Sequence, residues 1–183
     1  MAKCPICNSR KGKRQCLIAG RPVCSLCCGT TRNPDYCSEC GFYQEPKRKY
    51  IDVPSYTTSQ MDNNMEIQSY AHTIEGALCM YDIEINKNLK DSDAIKMIEL
   101  LIDKYHFGDQ DFNTDNQIIA NGVSYIDDAI KNDLTDQSNE VIVKILAVIW
   151  FVSNRRTKIR REYLDFIHQY VGLRLGPGIR LME

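Results

Sequence analysis

The sequence predicts a small cysteine-rich module followed by an all-α bundle of about five helices. Eight of the nine cysteines lie within residues 4–40, and from residue 60 onward apolar residues recur at helical spacing without strand-like alternation. Charge divides in the same region. Residues 1–50 carry ten Lys/Arg and three Asp/Glu, residues 51–183 thirteen and twenty-one, so the net charge of −1 resolves into +7 and −8. A basic head suits an acidic partner, or serves only to keep a small module solvated.

The module is expected over residues 1–43. Its cysteines follow C-x2-C-x8-C-x7-C-x2-C-C-x8-C-x2-C. Three Cys-x-x-Cys knuckles (Cys4/Cys7, Cys24/Cys27 and Cys37/Cys40) frame Cys16 and Cys28. Each such turn presents two sulfurs to one metal, and a tetrahedral zinc takes four, so eight thiols predict two closed, structural zinc sites. In an interleaved arrangement Cys4, Cys7, Cys24 and Cys27 hold the first ion, and Cys16, Cys28, Cys37 and Cys40 the second. In a sequential one, Cys4, Cys7, Cys16 and Cys24 share the first. The interleaved scheme is preferred, because it pairs knuckle with knuckle and leaves Gly20 to Val23 as a turn into a short strand. With two ions and eight thiolates bound, the head's formal charge falls to about +3.

The same thiols suit an iron–sulfur cluster chemically. A redox Cys-x-x-Cys needs a βαβ setting, and a zinc deaminase needs a His-x-Glu upstream; the sequence has neither. Larger apolar residues in the head are few (Ile6, Leu17, Ile18, Val23, Leu26, Phe42), so metal must stand in for a core.

The run Cys4-x2-Cys7-x8-Cys16, followed by Arg21-Pro22-Val23-Cys24-x2-Cys27, resembles the B-box zinc finger. The resemblance covers about forty residues. It implies a cross-braced, RING-like topology, two zinc ions and a role in protein–protein contacts. Two positions depart from the family. Its fourth ligand falls near Ala19, so Cys28 would substitute, and its closing histidines are here Cys37 and Cys40. The stretch from Cys27 to Arg32 is also similar to Cys-rich heads of small uncharacterised bacterial proteins, which implies no function.

Residues 44–59 are expected to be a linker, polar and interrupted by Pro46 and Pro54. The helical body is expected over 60–172. Ser59 is the expected cap of a first helix bearing Met61, Met65, Ile74, Leu78, Tyr81 and Ile85. Ser92 should cap a second, with Ala94, Ile95, Ile98, Leu101, Ile102 and Tyr105 inward and Gly108 near its end. A third begins near Asp115, with Ile118, Ile119, Val123, Ile126 and Ile130 inward. A fourth begins near Asp136, and its apolar residues Val141 to Val152 cover most of its circumference, so it should be the most buried. Thr157 should cap a fifth, with Ile159, Tyr163, Leu164, Ile167, Tyr170 and Val171 inward and Gly172 ending it. Short loops imply an antiparallel bundle. The tail, 173–183, turns at Gly176-Pro177-Gly178, and Ile179 and Leu181 are positioned to dock back.

The run Val141–Val152, broken by Lys144, is too short to span a bilayer. Residues 1–15 lack the apolar stretch of a secretory leader. A soluble, cytoplasmic chain with reduced thiols is therefore expected. The loop Asp109–Asp115 begins like a calcium loop but has Thr114 where glycine is required and Ala120 where a bidentate Glu belongs. His72, His106 and His168 show no ligand spacing, and Cys79 reads as a core residue.

The function expected from these features is that of a non-catalytic zinc-binding adaptor. Its head and helical body would contact a protein partner. No nucleophile–base pair, phosphate-binding glycine loop or small-molecule motif is visible. The alternative is nucleic-acid binding through Lys11, Lys13, Arg14, Arg21 and Arg32 of the head with the cluster Arg155, Arg156, Lys158, Arg160 and Arg161. Scarce aromatics near these charges and the acidic body oppose it.

Overall fold

A computed structural model of the chain describes residues 2–43, 48–176 and 179–181. Its backbone contacts form two units, Met1–Arg48 and Lys49–Glu183. The first is a small cysteine-rich head and the second an all-α body, with eight helices in total among the described residues, five of them long.

In the head, strands β1 (Arg14–Gln15) and β2 (Pro22–Val23) pair antiparallel, with Arg14 opposite Val23. Helix α1 (Ser25–Thr30) follows directly and α2 (Pro34–Cys37) comes after a short turn. Buried hydrophobic residues among the described part of the head are Cys4, Val23, Cys24 and Cys27. Val23 is the sole hydrocarbon side chain in that set, so this unit has no oily core of its own.

The body opens with a 3₁₀ turn at Tyr50–Asp52, followed by α3 (Thr58–Asp62), α4 (Met65–Glu84), α5 (Asp91–Tyr105), α6 (Gln117–Asp133), α7 (Asn139–Arg156) and α8 (Glu162–Tyr170). A terminal hairpin pairs β3 (Leu173–Gly176) with β4 (Ile179–Leu181), Leu173 facing Leu181 in register. The expected turn residues Pro177 and Gly178 lie outside the described residues. The hairpin's docking is visible on β3. Leu173 joins the core, and the Arg174 guanidinium grips Asp133 at 2.5 and 2.7 Å.

Several boundaries differ from the sequence reading, each for a local reason. The expected first helix is two helices. Thr57, not Ser59, makes the capping box, with Gln60 reaching back to the Thr57 N–H at 2.9 Å. Asn64 then caps α4 by accepting from the N–H groups of Glu66 and Ile67. Met65, expected inward, is 84% exposed in its first turn. Helix α5 starts at Asp91 rather than after Ser92; α6, expected from about Asp115, is capped by Asn116, and α7, expected from near Asp136, is capped by Ser138. The last helix begins four residues later than expected, capped at Arg161 rather than Thr157. Thr157 ends α7, its hydroxyl donating to Ser153 O and to Asp91, while Glu162 folds back to accept the N–H groups of Ile159 and Arg160. Ile159 therefore sits on a loop, exposed rather than inward, and Tyr170 and Ile118 are also outward. Helix α7 is well buried but not uniquely so, since α4 and α5 each bury as many residues.

The core joins Ile74, Leu78, Met97, Ile98, Leu101, Ile126, Ile145, Leu146 and Tyr163 in one cluster. Cys79 is part of it, and burial pushes its thiol well above the ordinary range. Gly122 is where α6 crosses α4 and α5: a Cβ there would lie 2.4 Å from Met97 Cε and 2.6 Å from Tyr81 Cε1.

Three buried carboxylates pin the helices together. Asp82, on α4, receives the Arg161 guanidinium at 2.8 and 3.2 Å, His168 Nε2 at 2.9 Å and the Leu89 N–H at 3.2 Å. Asp91 accepts the N–H groups of Tyr163 and Leu164, each at 3.0 Å, and so caps α8 from the start of α5. Asp127 meets Lys104, Lys131 and the Tyr105 hydroxyl. Among the described residues no buried side-chain polar atom lacks a partner, as expected of a well-packed interior.

Candidate metal centre

Three short pieces of the head converge on one point. The first is the turn at Cys4–Cys7. It is closed by the Asn8 N–H donating to Cys4 O at 2.9 Å, with Asn8 at φ 52, a left-handed value that asparagine tolerates. The second is the hairpin, which carries the chain back to Cys24. Gly12 is essential to it, because a Cβ would sit 2.2 Å from Pro22 O. The Lys13 N–H closes the ladder on Val23 O at 2.9 Å. The third is the start of α1, where Cys24 occupies the cap position and Cys27 the first turn.

The result is a group of four sulfurs, Cys4, Cys7, Cys24 and Cys27, all within 4.8 Å of one another and largely buried. Cys7 and Cys24 are 3.9 Å apart, far beyond a disulfide bond of about 2.05 Å. Four thiolates at about 2.3 Å from a tetrahedral ion stand about 3.8 Å from each other. The donor set and spacing therefore fit a closed tetrathiolate metal site. The fourth sulfur is Cys27 rather than Cys16, which excludes the sequential arrangement.

The thiols are poised unevenly. The Ser9 hydroxyl, with the N–H groups of Ser9 and Arg10, brings Cys7 down to about 5, while the adjacent Cys24 sulfur and burial push Cys27 up to about 12. Four negative sulfurs cannot share this volume without a cation, and a bound divalent ion would ionise all four. Ser9 and Gly12 are contributors that cysteine spacing does not reveal, although a glycine before a two-residue strand hints at close approach.

Among the described residues the other four cysteines form no comparable group. Cys16 accepts the Ala19 N–H at 3.4 Å, as Cys24 accepts that of Cys27 at the same distance. Cys28 lies 3.8 Å from Arg14 Nη1. Cys37 and Cys40 form a turn, Cys40 N–H to Cys37 O at 2.8 Å. Arg14 stacks on Phe42 and Arg32 donates to Phe42 O, which holds the Cys37–Phe42 segment against the hairpin and α1.

The basic residues do not form one patch. Lys11, Lys13 and Arg21 are exposed on the head, whereas Arg14 and Arg32 are engaged with Phe42. In the body, Arg161 is committed to Asp82, Lys158 and Arg160 point outward, and Arg155 and Arg156 lie over the rings of Phe151 and Phe166. The acidic loop 109–115 yields no metal-ligating group among the described residues, nor do the histidines. No helix among the described residues is long and apolar enough to cross a membrane.

Compared with known proteins, the chain matches no family, no curated protein and no solved structure.

Proposed function

We propose that the chain is a non-catalytic zinc-binding interaction protein, whose metal-built head presents a surface to a protein partner. The observation that carries this reading is the tetrathiolate group: with Cys4, Cys7, Cys24 and Cys27 all directed at one ion, no coordination position remains for water or substrate. Thiolate donors in tetrahedral spacing suit zinc. Around the centre, Ile6, Leu17, Ile18 and Leu26 are each about half exposed, an unusual number of apolar side chains for so small a unit.

A second zinc on Cys16, Cys28, Cys37 and Cys40 belongs to the same reading. It is supported by the sulfur-accepting turn at Cys16 and by the arginine contacts that hold the Cys37–Phe42 segment beside Cys28's helix. The pairing of Cys4/Cys7 with Cys24/Cys27 is the one a B-box-like cross-brace requires. Nucleic-acid binding has less support, because three of its ten basic residues are engaged by Phe42 or Asp82.

The test is a pull-down from cell extract with intact and zinc-stripped protein, paired with nucleic-acid titration at two salt concentrations. Zinc-dependent capture of a specific protein without salt-sensitive DNA or RNA binding is expected. Salt-sensitive nucleic-acid binding that survives nuclease-treated controls, with no protein captured, would overturn the reading.

A further inference from the structure

Within the helical body, the segment from Ser55 to Met61, the middle of α4, the C-terminal half of α7 and Phe166 of α8 enclose an open cleft of about 1030 Å³. This is at the upper end of the range for small-molecule sites. Its floor is apolar, including Ala71, Val148 and Val152. Its rim carries Arg155 and Arg156, the last two residues of α7.

These two guanidinium groups are exposed at the rim and differ from the body's cations that are paired with carboxylates. Arg161, Arg174 and Lys104 are consumed by buried carboxylates. Among the described residues Arg155 and Arg156 have no carboxylate within 4.0 Å. Each instead lies over an aromatic face: Arg156 is 3.4 Å from the Phe166 centroid and Arg155 5.5 Å from that of Phe151. A cation–π contact with each ring holds the two guanidinium groups beside the cleft without using their N–H groups in an ion pair. Glu75 lines the same cleft and accepts the Tyr163 hydroxyl at 2.9 Å. Burial pushes its carboxyl up to about 7, against the opposing effects of Tyr163 and Arg156, so much of the nearest negative charge is absent at neutral pH. The other lining acid, Asp62, is exposed to water.

We propose that this cleft is a binding site for a small organic anion carrying a flat apolar ring, with Arg155 and Arg156 holding the anionic group and the apolar floor receiving the ring. A phosphate, sulfonate or carboxylate matches the paired forks. The aromatic walls match a ring. All of its lining residues belong to the helical body, and they come from four separate segments, so the linear sequence marks only the Arg155–Arg156 pair.

The test uses the full metal-loaded chain and two fluorescent probes with the same rings, 1-anilinonaphthalene-8-sulfonate and the uncharged N-phenyl-1-naphthylamine. One saturable sulfonate site per chain is expected. The double variant R155Q/R156Q should weaken the sulfonate by about tenfold or more and leave the uncharged probe unchanged. The variant K158Q/R160Q, which removes nearby exposed charge outside the cleft, should bind both probes normally. Circular dichroism establishes that each variant is folded. Should R155Q/R156Q fail to fold, R155Q alone gives the same comparison with a smaller factor. The proposal is overturned by absence of saturable sulfonate binding, by equal loss of both probes, or by equal weakening in K158Q/R160Q.

Discussion

Removing metal from the head should unfold it and leave the body intact. Burying Val23, the one buried hydrocarbon side chain among the head's described residues, is worth about 1.5–3 kcal/mol. A structural zinc contributes about 10–16 kcal/mol in comparable peptides. The metal term is larger several-fold, and nothing else in this unit approaches it. A strong chelator, or Cys27→Ser in the first turn of α1, removes that term. Amide hydrogen exchange is the direct assay. The Lys13 N–H bonded to Val23 O and the Cys4 N–H bonded to Arg10 O report on the hairpin and the knuckle. Both should lose protection on chelation, whereas amides within α5 and α7 should keep theirs and the helical dichroism should hardly change. Persistent protection of Lys13 in metal-free protein would show that the head folds without its ion, and the argument for a metal-built core would fail.

On the proposed two-zinc reading, Cys37→Ser should lower the zinc content measured by native mass spectrometry from two ions to one while Lys13 stays protected; an unchanged metal count would remove the second site. Gly12→Ala, which drives a methyl into Pro22 O, should open the hairpin and weaken metal retention against a competing chelator. Arg161→Gln leaves Asp82 buried with only His168 and the Leu89 N–H as partners and should cost the body about 3 kcal/mol in urea unfolding, far more than loss of a surface charge. Burial alone would raise Asp82, but His168, Arg161 and the Leu89 N–H outweigh it and hold the carboxyl at about 2, below its ordinary 3.8. A depressed carboxyl stabilises the fold above the unfolded value, so about 2 kcal/mol should be lost as pH falls from 4 to 2, and Arg161→Gln should flatten that loss. Glu75 has the opposite sign. Its raised carboxyl costs stability as pH climbs from about 4.5 to about 7, so Glu75→Gln should stabilise the body at pH 8 by about 1–2 kcal/mol and have little effect at pH 4.

The cysteine spacing anticipated the cluster of Cys4, Cys7, Cys24 and Cys27, because two Cys-x-x-Cys turns in the same small unit have few other ways to satisfy their sulfurs. The second set is not brought together among the described residues: Cys16 and Cys28 belong to no knuckle and depend on how the Cys37–Phe42 segment folds back. Helix existence was legible in the 3.6-residue recurrence of apolar side chains. Helix starts were not always so. Thr57 and Ser59 are both competent caps, and the choice fell to Gln60 standing three residues after Thr57. Thr157 looked like a cap too, but its hydroxyl was taken by a carboxylate sixty-six positions earlier in the chain. The basic run 155–161 reads as one patch in sequence, yet successive residues face a cleft, water and a buried aspartate. Tertiary packing alone makes that partition.

The capping of α8 by Asp91 has a consequence for how the body comes apart. The final long helix begins on hydrogen bonds supplied by a side chain at the opening of α5, and the backbone of Asp91 in turn donates to Arg160 O at 2.8 Å. Neither segment can fray first at little cost: peeling off the C-terminal helix takes from the buried Asp91 side chain the two N–H groups it accepts, and melting α5 exposes the amides that begin its distant neighbour. The segment after Thr157 is therefore no detachable appendage, and a chain cut short there should lose the whole bundle rather than one helix of it.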